Sequence, residues 1–325
     1  MPATVSIIIP CYRQARFLEG CIASLREQTY AHWEAVIVDD GSPDDASEAG
    51  ARAMAQDSRV RFVQRPNGGP SAARNTGLRA STGEFIQFLD ADDYLKPDKL
   101  QRHAAMLNAE PGLDLVYGNA WYFDDAEPTK QIRQGFGPDP HEDWVANTAA
   151  LPVAPLLQLV QRNTMPICSP LFRRSVLDRA GFMDESMRAL EDWEFWIRCA
   201  NAGACIRFDP APEAECLIRL HASSASHDRA FMSGAELNMR VSCMAYLQDH
   251  KARRLMLAGI GRLLAWRKGT DRPSTYRRLQ ELVKGGEERT ALLIAMHLGP
   301  GTRLHGLIRP VIERLPWHIR SLAAV

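Results

Sequence analysis

The sequence predicts an α/β fold, with a mostly parallel sheet flanked by helices and a helical appendage at the C-terminal end of the chain. Two observations predict the sheet. Short apolar runs alternate with stretches of helical spacing over residues 5–117, and these runs show little polar alternation, which is typical of strands buried on both faces. A third observation predicts the appendage, because only helical patterns follow residue 228 or so.

The first five strands and the four helices between them follow in regular order. Residues 5–9 are mostly β-branched and stop at Pro10, which predicts the first strand. Ser42, with Pro43 next and Asp45 three residues on, is a helix start signal. The same reasoning predicts strands at 33–38, 60–63, 85–89 and 113–117, and helices at 17–28, 42–56, 71–80 and 97–108.

The second half of the chain is less regular. Prolines, glycines and acidic residues dominate 121–155, which predicts a variable loop region. Order returns at 166–174, a helix begins at Glu191, and 205–208 and 216–220 are predicted strands. Beyond them, helices are predicted at 230–248, 252–266, 274–283 and 289–297, with a last one near the end.

The composition excludes several classes of protein. Lys and Arg balance Asp and Glu at 39 each, so the net charge gives no reason to expect a nucleic-acid partner. No apolar stretch is long enough to span a bilayer, and the run at 5–9 lacks the basic flank of a signal peptide. The seven cysteines include no Cys-x-x-Cys pair, which favours a reducing, cytoplasmic setting without a zinc site.

Three acidic clusters end or follow predicted strands: Asp39-Asp40, Asp90-Ala91-Asp92-Asp93 and Glu191-Asp192. Ligands of open α/β sheets bind at the carboxyl ends of the strands. Carboxylates packed as closely as those at 90–93 repel one another unless a cation lies among them, and their oxygens suit Mg²⁺ or Mn²⁺. The alternative is a solvated acidic turn that leads to the next helix at Pro97.

Six sequence blocks contain or accompany these clusters: 5–12 (VSIIIPCY), 36–42 (VIVDDGS), 67–77 (NGGPSAARNTG), 83–93 (GEFIQFLDADD), 191–193 (EDW) and 219–221 (RLH). In these blocks the chain resembles the family 2 glycosyltransferases with the GT-A fold. The resemblance extends over residues 5–226, and the order and spacing of its first four blocks make it specific. The Gln-x-x-Arg-Trp motif of processive synthases is absent, which indicates transfer of one sugar per encounter.

A nucleotide-sugar donor needs groups for its base, its ribose and its diphosphate. Asp39 at a strand end can accept a hydrogen bond from a pyrimidine N–H, and the resemblance implies a uracil-type base. Tyr12 offers a ring for stacking, the alternative being a packing role at the sheet edge. Arg74, one turn into a helix, suits the diphosphate, the alternative being a salt bridge to an acidic cluster. The resemblance adds Pro10 and Asp90 to the donor site.

The resemblance also implies a metal site and a catalytic base. Asp92 would bind the metal, with Asp90 near the metal or the ribose, and His221 would lie close by unless it is a surface or otherwise satisfied histidine. Asp192, with Glu191 as second candidate, matches the family's base, which takes the proton of the acceptor hydroxyl. The helix dipole would keep Asp192 ionised. The alternative for Asp192 is a simple helix N-cap.

These expectations define a metal-dependent (Mn²⁺ or Mg²⁺), inverting enzyme. It would move one sugar from a nucleoside diphosphate donor, UDP in the first place, to a hydroxyl of a glycan or lipid-linked acceptor. Residues 1–228 would form the catalytic domain, with the nucleotide-sugar site in 1–120 and the acceptor region in about 121–228. Residues 229–325 would form the helical region.

Three other functions compete with this one. A Rossmann dehydrogenase needs glycines after the first strand, and residues 10–14 contain none. A sugar nucleotidyltransferase would carry a glycine-rich basic loop at the same place. A non-catalytic relative that binds nucleotide sugars stays open, although every expected carboxylate is present.

The C-terminal region is basic. Residues 251–325 contain 15 Lys and Arg against 5 Asp and Glu. Their helices also carry apolar stripes, and basic amphipathic helices bind anionic membrane surfaces. One interpretation is therefore peripheral contact with the cytoplasmic face of a membrane, which would suit a lipid-linked acceptor. The other is that the stripes pack on the catalytic domain and the cations pair with its acidic surface.

Overall fold

The computed structural model describes residues 3–132, 154–221 and 229–266. The chain divides into two compact units, Met1–His227 and Asp228–Val325. In the described part of the first unit the strands are β1 (Val5–Cys11), β2 (Trp33–Asp39), β3 (Val60–Gln64), β4 (Phe85–Phe88), β5 (Tyr94–Leu95), β6 (Leu115–Gly118), β7 (Ala120–Asp124), β8 (Glu127–Ile132), β9 (Leu171–Arg173), β10 (Ile206–Asp209) and β11 (Cys216–Leu220).

The helices of this unit cover the sheet. They are α1 (Ala15–Arg26), α2 (Ala46–Gln56), α3 (Pro70–Ala80), α4 (Lys99–Ala109), α5 (Pro155–Leu159), α6 (Val176–Ala180) and α7 (Glu191–Asn201). A Cβ atom on Gly77 of α3 would lie only 2.3 Å from Ile8 Cγ2 of β1. Glycine at this position therefore lets α3 approach the sheet closely, which brings the start of α3 to the ends of the strands.

The main sheet has seven strands in the order β10-β6-β9-β4-β1-β2-β3. Its neighbours are parallel except β9, which runs antiparallel to both β4 and β6. Every residue of β1 and β4 is buried, as the mostly apolar runs predict. A smaller sheet has the order β5-β11-β7-β8. The predicted α/β class with a mostly parallel sheet is confirmed.

Two predictions about the secondary structure of this unit are wrong. Helix α2 begins at Ala46 rather than at Ser42, because Ser42 belongs to a turn: its N–H donates to Asp39 Oδ1 (2.8 Å) and its Oγ accepts from Arg13 N–H (3.1 Å). The region 121–155 is not one loop, because β7 and β8 occupy its first part and pair antiparallel. Residues 133–153 of this region lie outside the described residues.

The second unit contains α8 (Arg229–Cys243) and α9 (His250–Trp266), which contact each other. Helix α8 ends five residues earlier than predicted, since Arg253 donates from Nη1 to Met244 O (2.9 Å) and Leu247 O (2.7 Å), which belong to the connection between the helices. The helices predicted beyond residue 266 lie outside the described residues, as does most of the basic region. Among the described residues, no helix has both the length and the apolar character needed to cross a membrane.

Candidate active site

The candidate site lies where three neighbouring strands of the main sheet end. Asp39, the last residue of β2, is opposite Cys11, the last residue of β1, and Tyr12 follows directly. Strand β4 pairs with β1 on its other side, and the acidic residues 90–93 follow it. The parallel arrangement therefore brings the first two predicted acidic clusters and Tyr12 to one edge of the sheet.

Pro10 is buried within β1, opposite Val38 of β2. A proline in a central strand removes one hydrogen-bond donor from the ladder. Here β4 stops pairing with β1 at Ile8, which lies opposite Phe88. The missing N–H of Pro10 therefore falls beyond the β1–β4 ladder, at the mouth of the site.

Asp39 and Asp40 are both buried but have different contacts. Asp39 accepts hydrogen bonds from Ser42 N–H (2.8 Å) and Gln64 Nε2 (3.3 Å). The carboxylate of Asp40 accepts from Arg65 Nη1 (2.6 Å), from Gly68 N–H (3.1 Å) and from Gly69 N–H (2.7 Å). Asp40 thus holds the turn from which α3 starts, a structural contact that its place in an acidic pair does not reveal.

Tyr12 lies in a strained loop at the mouth of the site. The residue is 42% exposed. The next residue, Arg13, has φ +58°, a left-handed conformation that costs a non-glycine residue about 1–2 kcal/mol. The Arg13 guanidinium carbon lies 5.2 Å from the centroid of the Tyr12 ring. The ring is accessible to a ligand, and its role in stacking stays a prediction.

Arg74 joins two of the acidic clusters. Its Nη2 donates to Asp90 Oδ1 (2.6 Å) and its Nη1 to Glu191 Oε1 (2.7 Å), and only 2% of the residue is exposed. Burial alone would lower the pKa of Arg74, but the charges of Asp90 and Glu191 raise it above its ordinary value. The structure therefore contains the salt bridges that the sequence left open as an alternative, and a contact of Arg74 with a diphosphate stays a prediction.

The acidic residues after β4 are close together and partly desolvated. Asp93 accepts from Arg219 N–H (3.0 Å), and Asp92 Oδ2 lies 2.8 Å from His221 Nε2. Burial and the neighbouring carboxylate of Asp90 raise the pKa of Asp92, and burial with the charges of Asp92 and Asp90 raises that of Asp93. The alternative of a solvated acidic turn does not describe this arrangement, because Asp92 and Asp93 are buried.

The residues around Asp92 fit a divalent cation that is shared with a substrate. Among the described residues, no three His, Cys, Asp or Glu side chains form a ready-made metal cluster. Asp92 and His221 nevertheless present an oxygen and a ring nitrogen within 2.8 Å of each other, and the side chain of Asp90 is 32% exposed. Mg²⁺ usually binds one or two carboxylates together with substrate phosphates, so a pair of protein ligands is consistent with this kind of site.

The third acidic cluster begins helix α7. Leu190, the residue before it, has φ +60°, so both left-handed non-glycine residues of the described chain lie in loops of this site. Asp192 is the second residue of α7 rather than its N-cap. Its Oδ1 accepts from Trp193 N–H (2.6 Å) and its Oδ2 from Asn163 Nδ2 (3.0 Å).

Burial and the charge of Glu191 raise the pKa of Asp192 to about 7. Burial and Glu191 therefore act against the ionised form, which the helix dipole was expected to favour. A carboxyl group with a pKa near neutral pH is well matched to general base catalysis.

Two polar residues of the site make contacts that the sequence does not predict. Asn163 lies between predicted elements and reaches Asp192 only through the fold. Arg219 belongs to the block 219–221, but its contacts could not be predicted: its guanidinium donates to Asp92 O (3.0 Å) and Asp125 Oδ1 (2.7 Å). The contacts of Asn163 and Arg219 join segments that are far apart in the chain, so no local sequence pattern predicts them.

Sequence comparisons find family relatives of this chain. The family described as Glycosyl transferase family 2 matches residues 6–179, more than half of the 325 residues. The uncharacterized glycosyltransferase EpsJ of Bacillus subtilis (strain 168) is 34% identical over 196 residues, which cover 59% of this chain and 54% of EpsJ. Glycosyltransferase GlyG of Streptococcus pneumoniae serotype 4 is 33% identical over 128 residues, which cover 39% of this chain and 42% of GlyG. The chain thus spans about half the length of these curated relatives.

Solved structures share the fold. The structure of S. aureus TarS 1–349 with UDP-GlcNAc has a TM-score of 0.63 and 17% identity, over 90% of this chain and 84% of that one. The mannosyltransferase PcManGT from Pyrobaculum calidifontis, solved with GDP-Man and Mn²⁺, has a TM-score of 0.61 and 17% identity, over 100% of this chain and 84% of that one. At this level of identity the likeness concerns the fold, and the GT-A fold predicted from the sequence is confirmed.

The family match covers β1 to β4 and the acidic residues 90–93, which are the elements that build the mouth of the site. It agrees with the resemblance carried by the sequence blocks, and the fold of the solved neighbours agrees with both. The chain belongs to glycosyl transferase family 2.

Proposed function

We propose that the protein is a metal-dependent, inverting glycosyltransferase that moves one sugar from a UDP-sugar to a hydroxyl group of a glycan or lipid-linked acceptor. The observation that carries the proposal is Asp192, a carboxyl group with its pKa raised to about 7 at the start of α7, beside Glu191. Through Glu191 and Arg74 this group is connected to Asp90, on the donor side of the site.

The donor side of the site suits a nucleoside diphosphate. Tyr12 provides an accessible ring for the base, and Asp39, fixed by Ser42 and Gln64, keeps its carboxylate at the same edge of the sheet. Pro10 lies beside them in β1. The TarS structure with UDP-GlcNAc supports UDP as the first donor nucleotide to test.

Asp92 and His221 would hold the divalent metal, with Asp90 next to it. When bound, the metal supplies positive charge that stabilises the leaving diphosphate. The PcManGT structure with Mn²⁺ supports Mn²⁺ as the first ion to test, with Mg²⁺ as the second.

In the transfer step, the oxygen of the acceptor hydroxyl attacks the anomeric carbon of the sugar, and Asp192 accepts the proton that this hydroxyl loses. Attack from the face opposite the leaving diphosphate inverts the configuration, and one carboxylate on that face suffices. Glu191 accepts no proton in this scheme, because its carboxylate is held by Arg74. Glu191 instead contributes the negative charge that helps raise the pKa of Asp192.

The acceptor side is proposed to lie in residues 121–228 of a catalytic domain formed by 1–228. Segment 154–165 contacts α7 and so borders the base. A lipid-linked acceptor at the cytoplasmic face of a membrane would fit the basic region 251–325, most of which lies outside the described residues.

The proposal is tested with a panel of UDP-GlcNAc, UDP-glucose, UDP-galactose and GDP-mannose in the presence of Mn²⁺. The readout is released nucleoside diphosphate, measured with and without candidate acceptor glycans. One UDP-sugar is expected to give release that depends on the acceptor and stops with EDTA. Tight binding of a donor without any release over the whole acceptor set would instead support a non-catalytic binding protein.

A further inference from the structure

We propose that Asn163 is a positioning residue for the base: it fixes the orientation of the Asp192 carboxylate and stabilises its ionised form. Asn163 Nδ2 donates to Asp192 Oδ2 over 3.0 Å, and only 8% of Asn163 is exposed. The catalytic part of this inference rests on the proposed function, in which Asp192 is the base. The contact itself can be tested without any substrate.

The orientation of the Asn163 amide is fixed by its second hydrogen bond. Its Oδ1 accepts from Met165 N–H at 3.1 Å, so the NH₂ group is the end that faces Asp192. The opposite orientation would place a carbonyl oxygen against a carboxylate and an NH₂ group against an N–H, which loses both hydrogen bonds. The amide therefore presents a donor, and not an acceptor, to the base.

The segment that carries Asn163 is itself held on α7. Trp193 Nε1 donates to Leu159 O, the last residue of α5, over 2.6 Å, and α5 packs against α7. Two hydrogen bonds thus connect the 159–163 segment with the first turn of α7, one from Trp193 and one to Asp192. These hydrogen bonds hold the segment in place, so the Asn163 amide is a fixed donor to Asp192.

The two oxygens of Asp192 are each held by one donor, Trp193 N–H on Oδ1 and Asn163 on Oδ2. A carboxylate has about four lone-pair sites, so further sites remain for the proton of an acceptor hydroxyl. Holding both oxygens fixes the plane of the carboxylate, which decides the direction from which a proton can be accepted.

Other charged and titratable groups also act on Asp192. Glu191, on the same helix, raises the pKa of Asp192, and Arg74 from α3 lowers it. Tyr122 on β7 is close enough for its own pKa to respond to Asp192. Burial and Glu191 favour the protonated form, whereas the donors Trp193 N–H and Asn163 favour the carboxylate. Of the two donors, only the Asn163 amide can be removed by a side-chain substitution.

The experiment measures the titration of Asp192 directly, by NMR of the full chain labelled with [¹³C]carboxyl aspartate. The Asp192 resonance is identified as the one missing from Asp192→Asn. In Asn163→Ala its midpoint is expected to rise by about 1 pH unit, because a hydrogen bond to a charged group contributes roughly that much. Asn163→Asp keeps the acceptor for Met165, so it tests the donated hydrogen bond even if the alanine variant does not fold.

In Asn163→Asp the two neighbouring carboxyl groups would share one proton, so the midpoint is expected to rise further than in the alanine variant. The matched control is Gln161→Ala, which removes an exposed amide of the same segment that donates to Leu157 O (2.7 Å). This control should leave the midpoint unchanged. A midpoint that stays within 0.3 pH units (about the error of such a titration) in both Asn163 variants would overturn the inference.

The kinetic part uses the UDP-sugar identified by the donor panel. In Asn163→Ala, kcat at pH 7 is expected to fall about fivefold with KM for the donor unchanged, because a rise of about 1 pH unit lowers the ionised fraction of the base by that factor, and activity should recover at higher pH. If Asp192→Asn is fully active, the proposed base is wrong, whatever the NMR result. If Asp192→Asn is inactive but the Asn163 variants titrate and react like the wild type, only the role of Asn163 is wrong.

Discussion

Asp90 and Glu191, far apart in the sequence, bind the same guanidinium group: Arg74 donates to Asp90 at 2.6 Å and to Glu191 at 2.7 Å. The first carboxylate follows the central strand β4 and the second begins α7. A single buried cation therefore fixes the donor side of the site relative to the proposed base. Because Arg is planar and donates in a fixed fork, a lysine could not make both contacts with the same geometry.

Arg74→Ala should destabilise the fold as well as the site. Removing the cation leaves Glu191 buried with an uncompensated charge, which typically costs about 3–5 kcal/mol. The measurement is urea unfolding. The matched control is Arg79→Ala on the same helix, whose exposed side chain lies 3.9 Å from Glu185 and should contribute at most about 1 kcal/mol. A loss below about 1 kcal/mol for Arg74→Ala, equal to that of the control, would contradict the bridging role.

Asp40→Ala is expected to destabilise the protein by about 3 kcal/mol, since it leaves the N–H groups of Gly68 and Gly69 and the guanidinium of Arg65 without their acceptor. The nearby Asp45→Ala is the control, because Asp45 is exposed and makes no side-chain cap of α2. Thermal unfolding compares the two variants. Equal melting temperatures would mean that Asp40 does not hold the turn before α3.

Asp92→Asn should remove the dependence of nucleotide binding on the metal. Wild-type protein is expected to bind UDP more tightly with Mn²⁺ than with EDTA, because Asp92 and His221 would share the cation with the diphosphate. Calorimetry measures both affinities. Asp178→Asn, an exposed carboxylate on α6, is the control. If the wild type binds UDP equally well with and without Mn²⁺, or if Asp92→Asn keeps the full metal effect, the metal assignment is wrong.

The transfer rate should depend on pH through Asp192. Because its pKa is raised to about 7, the carboxylate is ionised, and able to accept a proton, only above that value. We expect kcat to rise tenfold per pH unit below about pH 7 and to level off above it. Rate profiles from pH 5 to pH 9 measure this. A profile that is flat across this range would exclude Asp192 as the titrating base.

The parts of the fold and site that the sequence predicts are those encoded locally. Asp92 could be found because a strand that is apolar except for Gln87 leads to the acidic residues 90–93, and Asp39 because it ends a second, mostly apolar strand, β2. The start of α2 was misplaced because Ser42 looks like a cap, whereas its hydrogen bonds go to Asp39 and Arg13.

Contacts between distant segments could not be predicted. Strand β9 enters the main sheet antiparallel, between β4 and β6, which no local periodicity indicates. Asn163 meets Asp192 only because Leu159 and Trp193 bring α5 onto α7. The left-handed conformation of Leu190 could not be predicted either, since leucine is not a residue that favours it.

The central claim is that this family 2 member transfers sugars with Asp192 as its base. The most direct test compares the wild type, Asp192→Asn and the control Asp178→Asn with the donor and acceptor found in the panel. The measurement is release of nucleoside diphosphate alongside donor affinity. We expect Asp192→Asn to bind the donor normally and to lose about 10²–10⁴-fold in turnover, while the control keeps its activity. Turnover by Asp192→Asn at the wild-type rate would contradict it.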